Sequence, residues 1–362
     1  MERIDVAVIG AGVTGLAVAR EIARRGSSVV ILERYPRPGQ DTSTHNSGVI
    51  HAGMYYPPGS LKARLCVDGR HRLYEFCADH RVPHRKCGKL IVAHDAAELR
   101  QLEDLKARGD ANGVEGLTIV DRAFIAAHEP AVDAPYALWS PETGIVEAEA
   151  LVRTLLRTGQ DAGVMFLPAT PLADADAADD GVVLRTAQEE IHAATVVNAA
   201  GLYADDVSRM LHAEAFTIYP CRGEYVQLSP AKRTIVNGLV YPLPHAHSLG
   251  VHIVKTLSGD VWLGPTARFQ DDKDDYESDR LPVEAFLEPA RRLLRGIVLD
   301  DLRMGGSGIR PKLHPPAEWF ADFMIRRDRI NPRVVQASGI ESPGLTSCLA
   351  VGTMVADIVA NV

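Results

Sequence analysis

Three features of this 362-residue chain predict an α/β fold in which a nucleotide-binding domain is interrupted by a mostly antiparallel β domain. The chain opens on a strand, a glycine turn, a helix and a second strand ending in an acid. A block of short β runs separated by turn residues occupies positions 216–266. A glycine turn feeding an apolar helix closes the chain.

Ile4 to Ile9 is a run rich in Val and Ile, and Gly10, Gly12 and Gly15 spell G-x-G-x-x-G. Val13 to Arg25 then carries apolar residues at helical spacing. This is a Rossmann-like βαβ unit. Gly10 makes the tight turn, Gly12 lets backbone N–H groups approach a pyrophosphate, and Gly15 lets the helix pack on the strand. The helix N-terminus, with Val13 and Thr14, turns its positive end to the phosphates. Glu33, ending the second strand, can accept both hydroxyls of an adenosine ribose. The motif alone does not separate FAD from NAD.

After Glu33, Pro36, Pro38 and Gly39 break the periodicity, and a loop dense in Ser, Thr, Asn and His follows. Amphipathic helices are expected over Leu61–His80, Ala96–Ala111 and Glu147–Ala162. Strands are expected over Lys89–Ala93 and Val164–Leu167. Short β runs with acidic turns fill 171–200, and the run from Thr195 re-enters the nucleotide sheet with Gly201 at its turn. A short helix covers Tyr203–Leu211.

The β block that follows is the strongest compositional shift in the chain and forms the core of the second domain. Asp271 to Asp279 reads as a solvated acidic loop, and Leu281 to Val298 as one helix. Gly305 to Pro311 is glycine-rich with one arginine, Arg333 to Ala337 is a strand, and a helix runs from about Leu345 to Val359. That last helix supplies a second positive end, suited to stabilising charge on a reduced ring. The expected division is 1–83, 145–212 and 325–362 for the discontinuous nucleotide-binding domain, and 84–144 with 213–324 for the substrate domain.

The composition, 46% hydrophobic and 24% charged, is that of a globular protein. A net charge of −8 leaves little basic surface for a nucleic-acid partner. Cys66, Cys77, Cys87, Cys221 and Cys348 are odd in number and scattered, as expected of reduced thiols in a cytoplasmic protein. No signal peptide or membrane span is evident. Peripheral contact with the inner face of a membrane stays open.

Taken together, HNSGVIHAGMYYPPGSLKARLC from His45, CGKLIVA from Cys87, TGIVEAEAL from Thr143, NAAGLYAD from Asn198, LGVHIVKT from Leu249, VWLGPTA from Val261, SGIRPKL from Ser307 and IESPGLTSCLAVG from Ile340 resemble flavoproteins of the D-amino-acid-oxidase and glycerol-3-phosphate-dehydrogenase type. Within them the chain is most similar to the L-2-hydroxyglutarate dehydrogenase (oxidase) group. HNSGVIHAG and SGIRPKL are the specific parts. The resemblance implies FAD, with its ADP half across Gly10, Gly12, Gly15 and Glu33. Arg34, Thr44, His45, Asn46 and Ser47 would approach the pyrophosphate and ring, and Leu172 the adenine. Gly201, Gly339, Pro343, Gly344, Leu345 and Thr346 would line the flavin side. Some relatives attach FAD covalently through a histidine near the place of His51. VIHAG is closer to the non-covalent group, so dissociable FAD is expected.

The implied reaction takes a hydride from C2 of a 2-hydroxy acid to flavin N5, and electrons then pass to a quinone, another carrier or oxygen. It needs a base, a carboxylate clamp and stabilisation of the reduced ring. Arg310 is the expected clamp, since guanidinium grips a carboxylate bidentately. His51 and His252 are the candidate bases. Tyr55, Arg222, Lys255 and Lys312 are candidates for a distal carboxylate. His245, His247 and His252 suggest a metal by spacing, but Pro244 and the want of nearby carboxylates count against it, and no metal is expected. A serine nucleophile has no elbow motif to sit on. The alternatives are glycerol-3-phosphate dehydrogenase or amino-acid oxidase chemistry on the same fold, or a non-catalytic flavin-binding assembly protein.

Overall fold

The computed structural model describes residues 3–244 and 250–361. The first strand, Arg3–Ile9, runs parallel to Val29–Leu32 on one side and Glu190–Asn198 on the other. Met165–Leu167 extends that parallel sheet at one edge, and Val334–Ser338 adds a further parallel strand beside Glu190–Asn198. The hairpin strands Asp174–Ala178 and Gly181–Arg185, and the strand Met324–Arg327, complete eight strands with antiparallel pairings. All four residues of Val29–Leu32 are buried, as a strand covered on both faces must be.

The helix Val13–Arg24 covers one face of this sheet and packs against the last helix, Gly344–Ala360. A Cβ at Gly352 would lie 2.8 Å from the Ala17 carbonyl oxygen, and one at Gly69 only 2.5 Å from Ser347 Cα. Glycine at both positions lets the backbones close, which seats the N-terminus of the last helix beside the glycine turn.

A nine-stranded, mostly antiparallel sheet forms the second layer system, with its own apolar cores on the two faces. Its spine is the pairing of Tyr219–Leu228 with the eleven-residue strand Leu302–Lys312. Strands Val49–Ile50, His84–Arg85 and Gly144–Val146 make a small third sheet.

Two expectations change. The segment from Leu281 is not one helix but a 3₁₀ turn, Val283–Phe286, followed by the single-turn helix Leu287–Arg291. Pro282 and Pro289 punctuate it, each removing a backbone donor and restricting the residue before it. The acidic loop 271–279 is also less free than its charge suggests. Lys273 pairs with Asp205 and Asp206, and the Tyr276 ring lies against His45 at 4.9 Å. No helix among the described residues is long and apolar enough to cross a membrane.

Candidate active site

A long cleft follows the carboxyl ends of the parallel strands and has two connected halves. One is lined by Gly10, Glu33, Arg34, Tyr35, Leu172 and Tyr203. The other is lined by His45, Ser47, His51, Tyr241, His252 and Arg310. Gly12, Thr42, Ser43, Ala199 and Gly201 belong to both. Ligands of open α/β sheets bind in such crevices.

In the first half, Gly10 turns the chain with φ +103°, a conformation only glycine takes easily. Glu33 is buried, and its two carboxylate oxygens accept from Ala11 N–H (2.7 Å) and Tyr35 N–H (2.9 Å). Burial raises its pKa against the pull of these two bonds. The Arg34 guanidinium stacks on the Tyr203 ring at 3.9 Å. Gly12 leaves space for Ser43, whose hydroxyl accepts from Val13 N–H at 3.0 Å. Thr44 lines neither half, and its hydroxyl donates to the Gly39 carbonyl at 2.6 Å. Asn46 lines the flavin-side half but spends its amide on the carbonyls of Thr42 and Ser43 and on Gly48 N–H, which shapes the loop. Thr42 and Ser43, which the motif reading passed over, hold the wall where the two halves join.

Pro343, Gly344 and Leu345 line the second half at the start of the last helix. Thr346 sits behind it, fully buried, accepting from His51 N–H at 2.9 Å and so tying His51 to that helix. Gly339 lies outside the wall, with φ +66°. His51 Nδ1 is buried without a partner, and Nε2 is 3.3 Å from Ser342 Oγ. Burial first, and then the nearby Lys89 charge, pull its pKa down to about 3, so the ring is neutral. His252 is buried and stacks on Tyr241, centroids 3.6 Å apart and planes 13° from parallel. His245 and His247 fall outside the described residues. Among the described residues no three His, Cys, Asp or Glu side chains are grouped to hold a metal.

An outer cavity meets this half at His252, Pro265, Arg310, Glu341 and Ser342, and is lined further by Tyr55, Lys62, Lys312 and Trp319. Arg310 donates both terminal nitrogens to the Thr266 carbonyl, at 3.2 and 3.3 Å. Lys312, two residues on and therefore on the same strand face, shares Glu341 with Lys62. Lys62 Nζ is 2.8 Å from Glu341 Oε1, and Lys312 Nζ is 3.0 Å from Oε2. Burial alone would push the Glu341 carboxyl up, but the two lysine charges outweigh it and hold it at about 2. Lys62 and Glu341 were not anticipated.

Two predicted substrate contacts are elsewhere. Arg222 is fully buried against Glu224 and Asp275 and lines no part of these cavities. Cys221 pairs with Arg310 across the sheet, so strand alternation turns Arg222 to the opposite face. Lys255 donates to the Val236 carbonyl at 2.8 Å. It shares the face of Ile253, whereas His252 and Val254 face the other way.

This arrangement fits a dinucleotide carrying a planar ring: a glycine turn with helix N–H groups at the middle, a buried acid at one end, and histidines, Arg310 and a second helix N-terminus at the other. The family model for FAD-dependent oxidoreductases (DAO) matches residues 5–358. The chain is 37% identical to the mitochondrial L-2-hydroxyglutarate dehydrogenase of Arabidopsis thaliana, over 98% of this chain and 83% of the relative. It is 31% identical to that of Bos taurus, over 98% and 88%. Among solved structures it superposes on the FAD-bound L-α-glycerophosphate oxidase of Mycoplasma pneumoniae with a TM-score of 0.91, at 26% identity, over 99% and 95% of the two chains. It superposes on the glycine oxidase of Geobacillus kaustophilus with a TM-score of 0.84, at 22% identity, over 99% and 95%. The chain belongs to the DAO family of FAD-dependent oxidoreductases, and FAD is its cofactor.

Proposed function

We propose that this protein oxidises L-2-hydroxyglutarate to 2-oxoglutarate. The observation that carries the reading is the pair Arg310 and Lys312. They stand on one strand face at the junction of the flavin-side cleft and the outer cavity, two cationic anchors for the two carboxylates of a short diacid. Arg310 takes the carboxylate beside C2, and Lys312, with Lys62 behind it, takes the distal one. The relatives named L-2-hydroxyglutarate dehydrogenase support the same substrate.

Gly10, Gly12, Glu33, Arg34 and Leu172 hold the ADP half of FAD, and Ser47, Gly344 and Leu345 border its ring. Bound FAD would supply the acceptor for the hydride from C2. His51 takes the hydroxyl proton as the C2–O bond becomes a carbonyl, and its unpartnered Nδ1 and neutral ring leave it free to do so. His252, stacked on Tyr241, borders the substrate from the side. Electrons leave to a quinone, another carrier or oxygen. A quinone acceptor would bring the protein to a membrane surface as a peripheral protein.

The test is anaerobic addition of L-2-hydroxyglutarate to the FAD-loaded protein, with the D enantiomer and glycerol 3-phosphate in parallel. The L enantiomer alone should bleach the visible flavin band. The 0.91 TM-score to a glycerophosphate oxidase favours glycerol 3-phosphate as the second reading, and bleaching by that compound would replace the substrate proposed.

A further inference from the structure

The loop 271–279 is fastened at both ends to the antiparallel sheet. Before it, Phe269 pairs with Cys221, and Gln270 N–H donates to the Pro220 carbonyl at 3.0 Å. After it, Leu281 N–H donates to the Glu224 carboxylate at 2.7 Å. In between, the fully buried Arg222 donates to the carbonyls of Asp275 and Ser278, and the Ser307 hydroxyl donates to the Tyr276 carbonyl at 2.6 Å. Arg222 therefore holds this loop and not a substrate.

From that base the loop reaches residues that wall the cleft beside the parallel sheet. Lys273 Nζ donates to Asp205 at 2.6 Å and to Asp206 at 2.7 Å, and lies 5.4 Å from the Tyr203 ring centroid. Asp274 is 3.7 Å from the Arg34 guanidinium. The Tyr276 hydroxyl donates to Asp41 at 3.4 Å, and its ring meets that of His45. Arg34, Asp41, Tyr203 and Asp206 line the nucleotide half of the cleft, and His45 lines the flavin-side half. Lys273 and Tyr276 are half-buried, whereas Asp272, Asp274 and Glu277 stay exposed.

The charge of the loop limits what it can do there. It carries six acids and one lysine, and like charges repel, so it is unsuited to grip a pyrophosphate. Its hold comes from protein on both sides. On the reading that the ADP half of FAD lies in the half lined by Glu33 and Arg34, we propose that the loop 271–279 is a strap across the cleft that bars FAD from leaving and entering without binding it. Lys273 latches it to Asp205 and Asp206, and Arg222 and Ser307 fasten it to the sheet. Opening the latch lets FAD pass in either direction. A strap that contacts only protein changes both rates together and leaves their ratio, the affinity, where it was.

The experiment uses FAD-loaded wild type, Lys273→Met and Lys273→Arg, with Ser307→Ala and Glu33→Ala alongside. Release is followed by flavin fluorescence after dilution, and rebinding by mixing FAD with apoprotein. Losing a charge-assisted hydrogen bond changes an equilibrium by roughly tenfold or more. Lys273→Met should therefore speed release and rebinding by about tenfold each, with Kd within about threefold of wild type. Lys273→Arg should keep both rates near wild type, and Ser307→Ala, which loosens the strap at its base, should speed both. Release and rebinding within twofold of wild type in Lys273→Met overturn the proposal. Faster release with unchanged rebinding also overturns it, because the loop would then be holding the cofactor itself. If Lys273→Met does not fold, Ser307→Ala decides by the same two rates. Glu33→Ala separates the strap from the placement of FAD. Weakened affinity there with unchanged rates in Lys273→Met sinks the strap alone, and unchanged affinity there sinks the placement on which the strap rests.

Discussion

Gly223 makes the space that the Arg310 guanidinium occupies. A Cβ at position 223 would lie 2.8 Å from Arg310 Nη2 and 2.8 Å from Pro265 Cβ. Cys221 pairs with Arg310 on the neighbouring strand, and residues two apart share a face, so Gly223 lies on the path of that side chain. Gly223→Ala should therefore displace the proposed clamp while leaving FAD in place. Misplacing a positioning group by about 1 Å costs up to ~100-fold in rate, so a 10- to 100-fold loss in kcat/KM for L-2-hydroxyglutarate is expected. Stopped-flow flavin reduction within twofold of wild type would remove Arg310 from the role.

Glu341 joins Lys62 and Lys312 at the wall of the outer cavity, where it is only 8% exposed. Glu341→Gln leaves Lys62 buried without its counter-charge, and breaking a buried pair from one side costs about 3–5 kcal/mol. The carboxyl sits near 2 when folded, below its ordinary value of 4.5. The stabilisation is therefore complete above pH 4.5 or so and is lost as pH falls toward 2. Denaturant unfolding at pH 7 and pH 3 should show wild type losing more stability than Glu341→Gln over that interval. Equal losses would mean the carboxylate is not held down by the lysines.

The nucleotide half of the site was legible because its parts are local: three glycines, a helix start and Glu33 act within one βαβ unit. The place of Arg310 on the cleft wall was legible because an arginine inside a glycine-rich strand is unusual. Arg222 and Lys255 were misassigned because a charged residue in a strand has two faces to choose from, and the choice depends on register with distant strands. Lys62 and Lys89 carried a signal that went unread. Lys62 shares the buried stripe of its helix with Cys66, Gly69 and Leu73, and Lys89 heads a strand whose five residues are all buried. Glu341 had none, since its partners Lys62 and Lys312 reach it from a distant helix and a distant strand. The helix expected from Leu281 gave too little weight to Pro282 and Pro289.

Glu33 joins the glycine turn to the second strand by accepting from Ala11 and Tyr35. Glu33→Ala removes an acceptor from two backbone donors as well as the group proposed to face the ribose. Hydrogen bonds to a charged group contribute about 1.5–3 kcal/mol each, so FAD should bind roughly 10- to 100-fold more weakly, read by fluorescence as free flavin is titrated into apoprotein. Unchanged affinity would assign the ribose to another residue, with Arg34 the next to test.

His51 and His252 border one cleft, but their surroundings differ. His51 presents a neutral ring with Nδ1 unpartnered, held from behind by Thr346. His252 is stacked flat on Tyr241. Removing a general base costs about 10²- to 10⁴-fold, so His51→Asn should lower kcat by that much with FAD still bound. His252→Asn, which disturbs packing beside the substrate, should act mainly through KM. Because His51 stays neutral down to about pH 3, wild-type kcat/KM should show no acid limb from this ring between pH 5 and 8. His252→Asn giving the larger fall in kcat would transfer the proton to His252.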